Sequence, residues 1–320
     1  MSCASGESLR CHWRSVRFDA LLCFAGLLVL AMAGCSQASG DPILPVRGFQ
    51  TWKVPSAGPH LPAPRALYSD ESDNVYVLDD AGRVLVYASD GTLTREWEMP
   101  SHDVGRPEGI WRLTDGRIAV ADTHYHRVVL FEEDGTVNSM FGTKGNGPGE
   151  FVFPVTVAQD PAGFLYVGEY GDRQRIQKFT VEGEYVTEFG SHGTGDGEFQ
   201  RPSAIVWHDE TIYAVDAFND RIQVFTDDGE FLRVIQLPEN SSPLAFPYDL
   251  KFDARGRLCV IENKAGRLTI LNPDGSVAAR FGSPSRGMDG FFTPWGLAVL
   301  TDGRIIVADT GNHRLVELTL

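Results

Sequence analysis

The chain carries acids, histidines and arginines in short runs whose spacing is typical of a small acid–base site. In IVADTGNHRLVELTL, residues 306–320, Asp309, His313 and Arg314 lie within six residues. A positioned imidazole between a carboxylate and a guanidinium can transfer protons. A second run, VADTHYHRV at 120–128, repeats the same order of side-chain types. Two such runs indicate either a duplicated site or a structural repeat.

Further copies of this run favour the structural repeat. The arginines recur at intervals of 44 to 48 residues and are Arg83, Arg127, Arg175, Arg221, Arg267 and Arg314. Four to six residues before each arginine stands an acid, and the acids are Asp79, Asp122, Glu169, Asp216, Glu262 and Asp309. A group that occurs six times is rarely catalytic six times. We therefore predict six structural ion pairs, since partly buried guanidinium–carboxylate contacts can fix loops, and no catalytic residue among them.

Each repeat unit has the pattern of four short strands. In the second unit these are GIWRL, RIAVAD, RVVLFEE and TVNSMFG. Asp-Gly pairs separate several of the strands and favour tight hairpins. Prolines recur in step with the arginines and start the units near Pro62, Pro107, Pro154, Pro202, Pro247 and Pro294. Six units of four antiparallel strands predict an all-β fold, a six-bladed β-propeller.

The last unit supplies only three strands before residue 320. An incomplete blade would expose an unpaired sheet edge. Trp52 lies ten residues before Pro62, just as Trp97 in a fourth strand lies ten before Pro107. We therefore predict that residues 47–53 form the outer strand of the last blade and close the ring.

Three phrases give the repeat a family resemblance. DTGNHRL near residue 310, GPGEFVFP at 147–154 and GDGEFQRP at 195–202 resemble NHL repeats. The resemblance covers residues 62–320 and implies a six-bladed propeller with a central channel. Residues 47–320 are then one NHL-type domain.

The segment before the repeats resembles a bacterial lipoprotein signal. Three arginines precede the apolar run LLCFAGLLVLAMA, and Cys35 follows Ala33 and Gly34. The resemblance implies removal of a signal peptide, residues 1–34, and lipidation of Cys35, with residues 35–46 as a tether; an ordinary signal peptide or an uncleaved anchor are the alternatives. The expected location is the bacterial cell envelope, held to a membrane by the lipid, with the outer membrane or periplasmic face favoured.

Charge restricts the partners of the mature chain. Residues 1–34 carry three arginines against Glu7 and Asp19, so their removal changes the net charge from −15 to −16. A body this acidic repels nucleic-acid phosphates, which argues against RNA binding. We expect a monomer whose partner is an envelope protein, a peptide or a glycan. Of the cysteines, Cys259 lies in an apolar strand pattern with only Cys35 as a mature companion, so no intramolecular disulfide is expected.

Two motifs that resemble ligand sites have simpler interpretations. His124 and His126 form an H-x-H, but zinc needs at least a third protein ligand and no other histidine lies in this loop. GTKGNGPGE at 142–150 recurs as GSHGTGDGE at 190–198 and leads each time into a strand. A phosphate loop should instead open a helix. No cofactor or metal is therefore expected, with calcium or zinc as a remote alternative.

A binding site is expected where the units differ, on the face that carries the second-to-third-strand loops and the blade connections. The residues directly after the unit prolines differ most, with either Ala63 or Arg65 in the first unit, depending on whether Pro62 or Pro64 is the equivalent proline. The candidate ligand-binding residues are Glu108, Tyr125, Tyr170, Phe218, Tyr248 and Trp295. Aromatic and polar groups around a channel mouth suit a peptide, a glycan or a small apolar ligand. The alternative is that these side chains only plug the channel.

The family resemblance also implies enzymatic alternatives. Amidating lyases of similar fold hold zinc with histidines, one of them directly after a unit proline, and no such residue here is histidine. Calcium-dependent lactonases and esterases of related folds use acids near the axis, where this chain offers Glu108. A metal-dependent hydrolase is thus the alternative to an envelope-anchored binding or scaffold module.

Overall fold

The structure is a computed structural model and describes residues 40–59 and 61–320 of the chain. The first strand is β1 (Gly48–Trp52). Blade 1 contains β2 (Pro64–Ser69), β3 (Val75–Asp79), β4 (Arg83–Tyr87) and β5 (Leu93–Glu98). Blade 2 contains β6 (Gly109–Arg112), β7 (Ile118–Asp122), β8 (Arg127–Phe131) and β9 (Val137–Phe141). The connection to blade 3 holds β10 (Thr143–Lys144) and β11 (Glu150–Phe151).

The remaining blades follow the same plan. Blade 3 contains β12 (Phe153–Gln159), β13 (Leu165–Tyr170), β14 (Arg175–Phe179) and β15 (Tyr185–Phe189). The next connection holds β16 (Ser191–His192) and β17 (Glu198–Phe199). Blade 4 contains β18 (Pro202–His208), β19 (Thr211–Asp216), β20 (Arg221–Thr226) and β21 (Phe231–Val234). Blade 5 contains β22 (Pro247–Phe252), β23 (Leu258–Glu262), β24 (Arg267–Leu271) and β25 (Val277–Phe281). Blade 6 contains β26 (Gly296–Val299), β27 (Ile305–Asp309) and β28 (Arg314–Thr319).

The ring closes as the sequence predicts. β1 pairs antiparallel with β28, with Gly48 opposite Thr319 and Trp52 opposite Leu315, and completes blade 6 as its outer strand. The chain therefore forms an all-β propeller of six four-stranded antiparallel sheets. The indole nitrogen of Trp52 also donates to Glu317 Oε2 at 2.9 Å across this pair.

The segment before β1 is also bonded to the ring. Leu44 N donates to Arg280 O and Arg280 N donates to Pro42 O, each at 2.7 Å, beside the outer strand of blade 5. Asp41 forms an ion pair with Arg280. Part of the predicted tether is thus docked on the rim of the propeller. The predicted signal peptide and Cys35 lie outside the described residues.

Apolar side chains fill the spaces between the sheets. Six core clusters are present in the described chain, and each joins two adjacent blades, including blade 6 with blade 1. Because middle strands such as β3 and β4 contact sheets on both faces, every residue in them is buried. This arrangement explains why these strands have near-continuous apolar runs instead of alternation.

Aromatic side chains of outer strands pack on glycines of the next blade at four of the six blade junctions. Trp52 packs on Gly91 and Trp97 packs on Gly135, and a Cβ at either glycine would lie within 2.8 Å of the indole. Both glycines have positive φ, 84° and 87°. Only glycine serves both needs, a left-handed backbone and room for a ring. The shared contact supports the predicted equivalence of the two tryptophans.

The register corrects the predicted start of the first unit. Pro64 lies opposite Asp79, as Pro154 lies opposite Glu169 and as Pro202 and Pro247 lie opposite the acids of their blades. Pro64, rather than Pro62, is therefore the equivalent proline. The two neighbouring prolines made the choice ambiguous in sequence.

Within the described residues, no helix is long and apolar enough to span a membrane.

Candidate functional site

All six acid–arginine pairs form, with N–O distances of 2.6–2.8 Å. The carboxylates also accept backbone N–H groups of the blade connections: Asp216 Oδ1 from Gln200 and Asp309 Oδ1 from Phe292, at 2.7 and 2.8 Å. Burial raises the pKa of Asp216, although hydrogen bonds from Asn219 and Arg221 oppose the shift. Glu169 and Glu262 accept the Val152 and Ala245 N–H groups in the same way, so in blades 3 to 6 the acid of the pair joins a strand end to a connection.

The two histidines of the opening runs cap short 3-10 turns. His126 follows Thr123–Tyr125 and His313 follows Thr310–Asn312, each with left-handed backbone. His126 Nδ1 is 2.5 Å from Val152 O and His124 Nδ1 is 3.3 Å from Arg106 N, so both rings bind backbone. Within residues 40–59 and 61–320, no group of three metal-binding side chains is present.

The glycine-rich segments are blade connections held by the repeat arginines. Arg175 Nη2 donates to Gly147 O and Glu150 O at 2.9 and 3.0 Å. Arg221 makes the equivalent contacts one blade later, to Gly195 O and Glu198 O. The arginines therefore bind carbonyl groups of these segments, which are bonded as structural loops.

β-Bulges aim the residues after the unit prolines towards the channel mouth. The pairing shifts directly after the proline in four blades, between Pro64 and Leu67, Pro154 and Thr156, Pro202 and Ala204, and Pro247 and Asp249. A bulge re-aims the side chain of the extra residue. Arg65 and Tyr248 are two of the residues placed in this way.

Glu108 is the centre of a polar cluster at this mouth. Arg201 Nη2 and the hydroxyl of Tyr248 each donate to Glu108 Oε2 at 2.7 Å. Arg65 Nη2 lies 3.4 Å from Glu108 Oε1, and Arg201 Nη2 lies 2.7 Å from the Tyr248 hydroxyl oxygen. Glu108 and Tyr248 are only 8% and 4% exposed. We call Glu108, Arg65, Arg201 and Tyr248 the mouth cluster.

Electrostatics in the mouth cluster fixes the charge states of Tyr248 and Arg201. Burial is the main cause that raises the pKa of Tyr248 well above its usual value, and the Glu108 carboxylate adds to the shift. The phenol is therefore neutral and donates to the carboxylate. Burial alone would lower the pKa of Arg201, but Tyr248 and Glu108 raise it above its ordinary value. Arg201 is therefore a permanent cation.

Aromatic rings surround the mouth cluster. The Arg201 guanidinium lies 4.1 Å from the Tyr170 ring, and that of Arg65 lies 4.2 Å from the Trp295 ring. Trp295 in turn meets Tyr248 edge-on at 4.2 Å. Below the mouth, a channel cavity of about 30 Å³ remains, room for about one or two water molecules. This space is too small for a larger ligand, which must bind above it.

An open groove of about 550 Å³ lies beside the mouth cluster, between blades 4, 5 and 6. Phe218 is 60% exposed there and stacks on Phe246 at 5.2 Å. Phe292 lines the opposite side, and Asp220 and Lys264 contribute to the rim. We call this space the loop-face groove.

Three residues that precede unit prolines have left-handed backbone around the loop-face groove. Arg201, Phe246 and Thr293 have φ of 69°, 52° and 44°. Such conformations cost about 1–3 kcal/mol each and cluster at ligand sites. Hydrogen bonds offset part of this cost, because Ala217 N donates to Arg201 O and Asn263 N to Phe246 O.

The structure brings together five of the six candidate ligand-binding residues. Glu108, Tyr170, Phe218, Tyr248 and Trp295 lie at the mouth or the groove, as described above. Tyr125 is separate, because its hydroxyl accepts the N–H groups of Asp103 and Val104 at 2.8 and 3.1 Å. Arg201 and Phe246 were not predicted. Both directly precede a proline, but Arg106 and Phe153 occupy the same position in other units, so the sequence offers no signal that singles them out.

The sheet topology defines the class of this protein as a six-bladed β-propeller with four antiparallel strands per blade. One acid–arginine pair stands in each blade. Its last blade carries an NHL repeat, because residues 293–318 match the family model of that description. No curated protein matches the chain significantly.

Solved structures show the same fold at low identity. A streptogramin B lyase superposes with a TM-score of 0.60 and 16% identity over 85% of this chain and 97% of that one. Virginiamycin B lyase from Staphylococcus aureus gives 0.60 and 17% over 85% and 100%. A protein of unknown function from Bacteroides caccae gives 0.59 and 12% over 77% and 89%. At these identities the likeness concerns the fold.

Proposed function

We propose that this protein is a binding module, anchored to the bacterial cell envelope by a lipid on Cys35, whose loop face binds a protein, peptide or glycan. The observation that carries the proposal is the exposed Phe218, which stacks on Phe246 at the edge of the loop-face groove. Solvent-exposed aromatic rings on a rigid support are typical binding anchors.

The ring itself suits this role. β1 and β28 close the last blade, and an apolar cluster joins each pair of neighbouring blades. The face is therefore rigid, and its variable loops can differ without loss of the fold. Binding above this narrow channel needs only the groove and its rim.

The contacts of Glu108 favour binding over metal-dependent hydrolysis. Its Oε2 accepts from Arg201 and Tyr248, while Arg65 lies beside Oε1. A calcium ion would have to displace these donors and approach a site flanked by two guanidinium groups. Some structural neighbours are lyases, so an enzyme of another mechanism is the second candidate.

Pull-down from an envelope extract tests the proposed function. We expect the wild-type protein to recover ligands that Phe218→Ala loses, because the substitution removes the exposed ring. Leu232→Ala is the matched control, since Leu232 is 48% exposed on an outer strand of the same blade. Equal recovery by wild type and both variants would contradict binding at the loop face.

A further inference from the structure

Arg201 has hydrogen-bonding capacity that the protein does not use. Its Nη2 group serves both Glu108 and Tyr248. Among the described residues, Nε is buried without an acceptor and Nη1 donates to no protein group. Unused donors of a buried cation are costly. A ligand can reach Nη1 but not the fully buried Nε, and an acceptor at Nη1 would remove part of that cost.

The guanidinium of Arg201 is held for such an acceptor. It lies 4.1 Å from the Tyr170 ring and 5.5 Å from the Tyr248 ring. Packing between rings restricts the rotation of the side chain, so less entropy is lost when a ligand binds. The side chain is 12% exposed, which leaves an edge open at the mouth.

Arg65 adds a second guanidinium at the same mouth. It lies 3.4 Å from Glu108 and 3.3 Å from Asp80, whose carboxylate is half exposed. Its Nε is also buried without a partner in the described chain. Glu108 is thus shared by two cations, and its oxygens are covered by their donors.

The loop-face groove begins directly beside this cation. The Arg201 guanidinium carbon lies 5.9 Å from the ring of Phe218, which lines the groove. On the groove rim, Asp220 accepts the Phe246 N–H at 2.6 Å, and Lys264 is exposed. A cationic edge therefore adjoins an aromatic space, and this pairing suits an amphipathic anion.

We propose that the loop face binds an amphipathic carboxylate, with its apolar group in the loop-face groove and its carboxylate on Arg201. This rests on the function proposed above and narrows its ligand class. Carboxylates bind guanidinium through charge-assisted hydrogen bonds, which are about twice as strong as neutral ones. Free small acids and the C-terminal carboxylate of a peptide share this chemistry.

Matched acids and primary amides test the proposal by isothermal titration calorimetry on the purified protein. One arm uses aryl-alkanoic acids, and the other uses short peptides that end in phenylalanine or leucine. In the series that resembles the natural ligand, we expect each acid to bind about ten times more tightly than the matched amide. Equal affinity of acid and amide in both arms, or no acid binding at millimolar concentration, would overturn the proposal.

Two variants with opposite expected effects on acid affinity separate recognition of the ligand's charge from side-chain packing. Arg201→Gln should abolish the preference for the acid while the amide binds as before. Glu108→Gln should strengthen acid binding about tenfold, because a neighbouring negative charge is removed. Loss of packing cannot produce this gain. Weaker acid binding by Glu108→Gln, with an unchanged circular dichroism spectrum, would also overturn the proposal.

Failure of this inference and failure of the proposed function give different results. If acid and amide bind equally and Phe218→Ala removes both, the carboxylate inference fails and the binding face stands. If acid and amide bind equally and Phe218→Ala changes the affinity of neither compound, the carboxylate inference and the proposed binding face both fail. If Arg201→Gln does not fold, the carboxylate proposal is still tested by the acid–amide comparison on the wild type and on Glu108→Gln.

Discussion

At the scale of residues, the repeated arginines stabilise the ring through buried carboxylates. Arg221 illustrates their role, since it holds Asp216 at 2.8 Å and three carbonyl groups of the preceding connection. Removal of the cation leaves a buried carboxylate without its charge partner, which is more costly than loss of an exposed pair.

Arg221→Ala should lower the free energy of unfolding by about 3 kcal/mol, within the range for a broken buried pair. Urea unfolding followed by circular dichroism measures this change. Arg95→Ala is the control, because Arg95 and Glu133 are 34% and 61% exposed, and a loss of about 1 kcal/mol or less is expected. Similar losses in both variants would show that the buried acid–arginine pairs stabilise the fold no more than an exposed ion pair does.

Cys259 provides a probe of the core between blades. Burial raises the pKa of its thiol to about 12, so the thiolate required for alkylation is rare in the folded chain. We expect iodoacetamide at pH 8 to modify the Cys259 peptide only after unfolding, as measured by mass spectrometry. Because the shift favours the protonated form, reactivity should rise as the pH approaches 12. Rapid modification of the folded chain at pH 8 would contradict this burial.

At the scale of elements, β1 determines whether the last blade is complete. Trp52 is 3% exposed, packs on Gly91 of the next blade and meets Tyr87 at 5.8 Å. Its side chain therefore contributes both to the sheet pair and to the contact between blades 6 and 1.

Trp52→Ala should destabilise the fold by about 3–5 kcal/mol, the range for a buried tryptophan. Thermal and urea unfolding measure the loss. Thr51→Ala is the control, because Thr51 is exposed on the same strand, and it should change stability by less than about 0.5 kcal/mol. Equal effects of the two substitutions would mean that the indole does not close the ring.

The sequence indicated these elements because each signal is local and repeated. The pairs such as Asp309–Arg314 are visible along the chain, and repetition separated them from chance. The ten-residue offset of Trp52 was counted to Pro62, whereas the equivalent Pro64 lies twelve residues on, so the equivalence of the two tryptophans rests on their shared contact with glycine. The mouth cluster is different. Arg201 lies 93 residues from Glu108 and 47 from Tyr248, and only the curvature of the ring brings them together. No single repeat unit contains these contacts. The sequence therefore predicted candidate residues around the channel mouth but not the hydrogen bonds and ion pairs between them.

At the scale of the whole molecule, the segment before β1 is fixed to the ring that carries the loop face. Residues 41–44 are bonded to the rim of blade 5. If Cys35 is lipidated, only a few residues separate the lipid from this rim. The tether is then short, and the propeller is expected to stay close to the membrane surface.

If Cys35 carries the proposed lipid, Cys35→Ala should release the protein from membranes into the soluble fraction of a cell lysate, because acyl chains can no longer be attached. Fractionation and immunoblotting measure the distribution. Cys23→Ala is the control, since Cys23 lies in the segment predicted to be removed, and it should remain with the membrane. Continued membrane association of Cys35→Ala would contradict lipid anchoring.

Closure of blade 6 by β1 also sets the order of folding events. Gly48 pairs with Thr319, so the first strand to be synthesised must wait for the last one. Blades 1 to 5 can form hairpin by hairpin from neighbouring segments, whereas the final pairing closes a loop of almost the entire domain. A chain that crosses a membrane unfolded therefore completes its ring only after its C-terminal strand has emerged. Until then β1 has no partner strand and its edge is open to other chains, and this is the interval in which the protein is most exposed to aggregation.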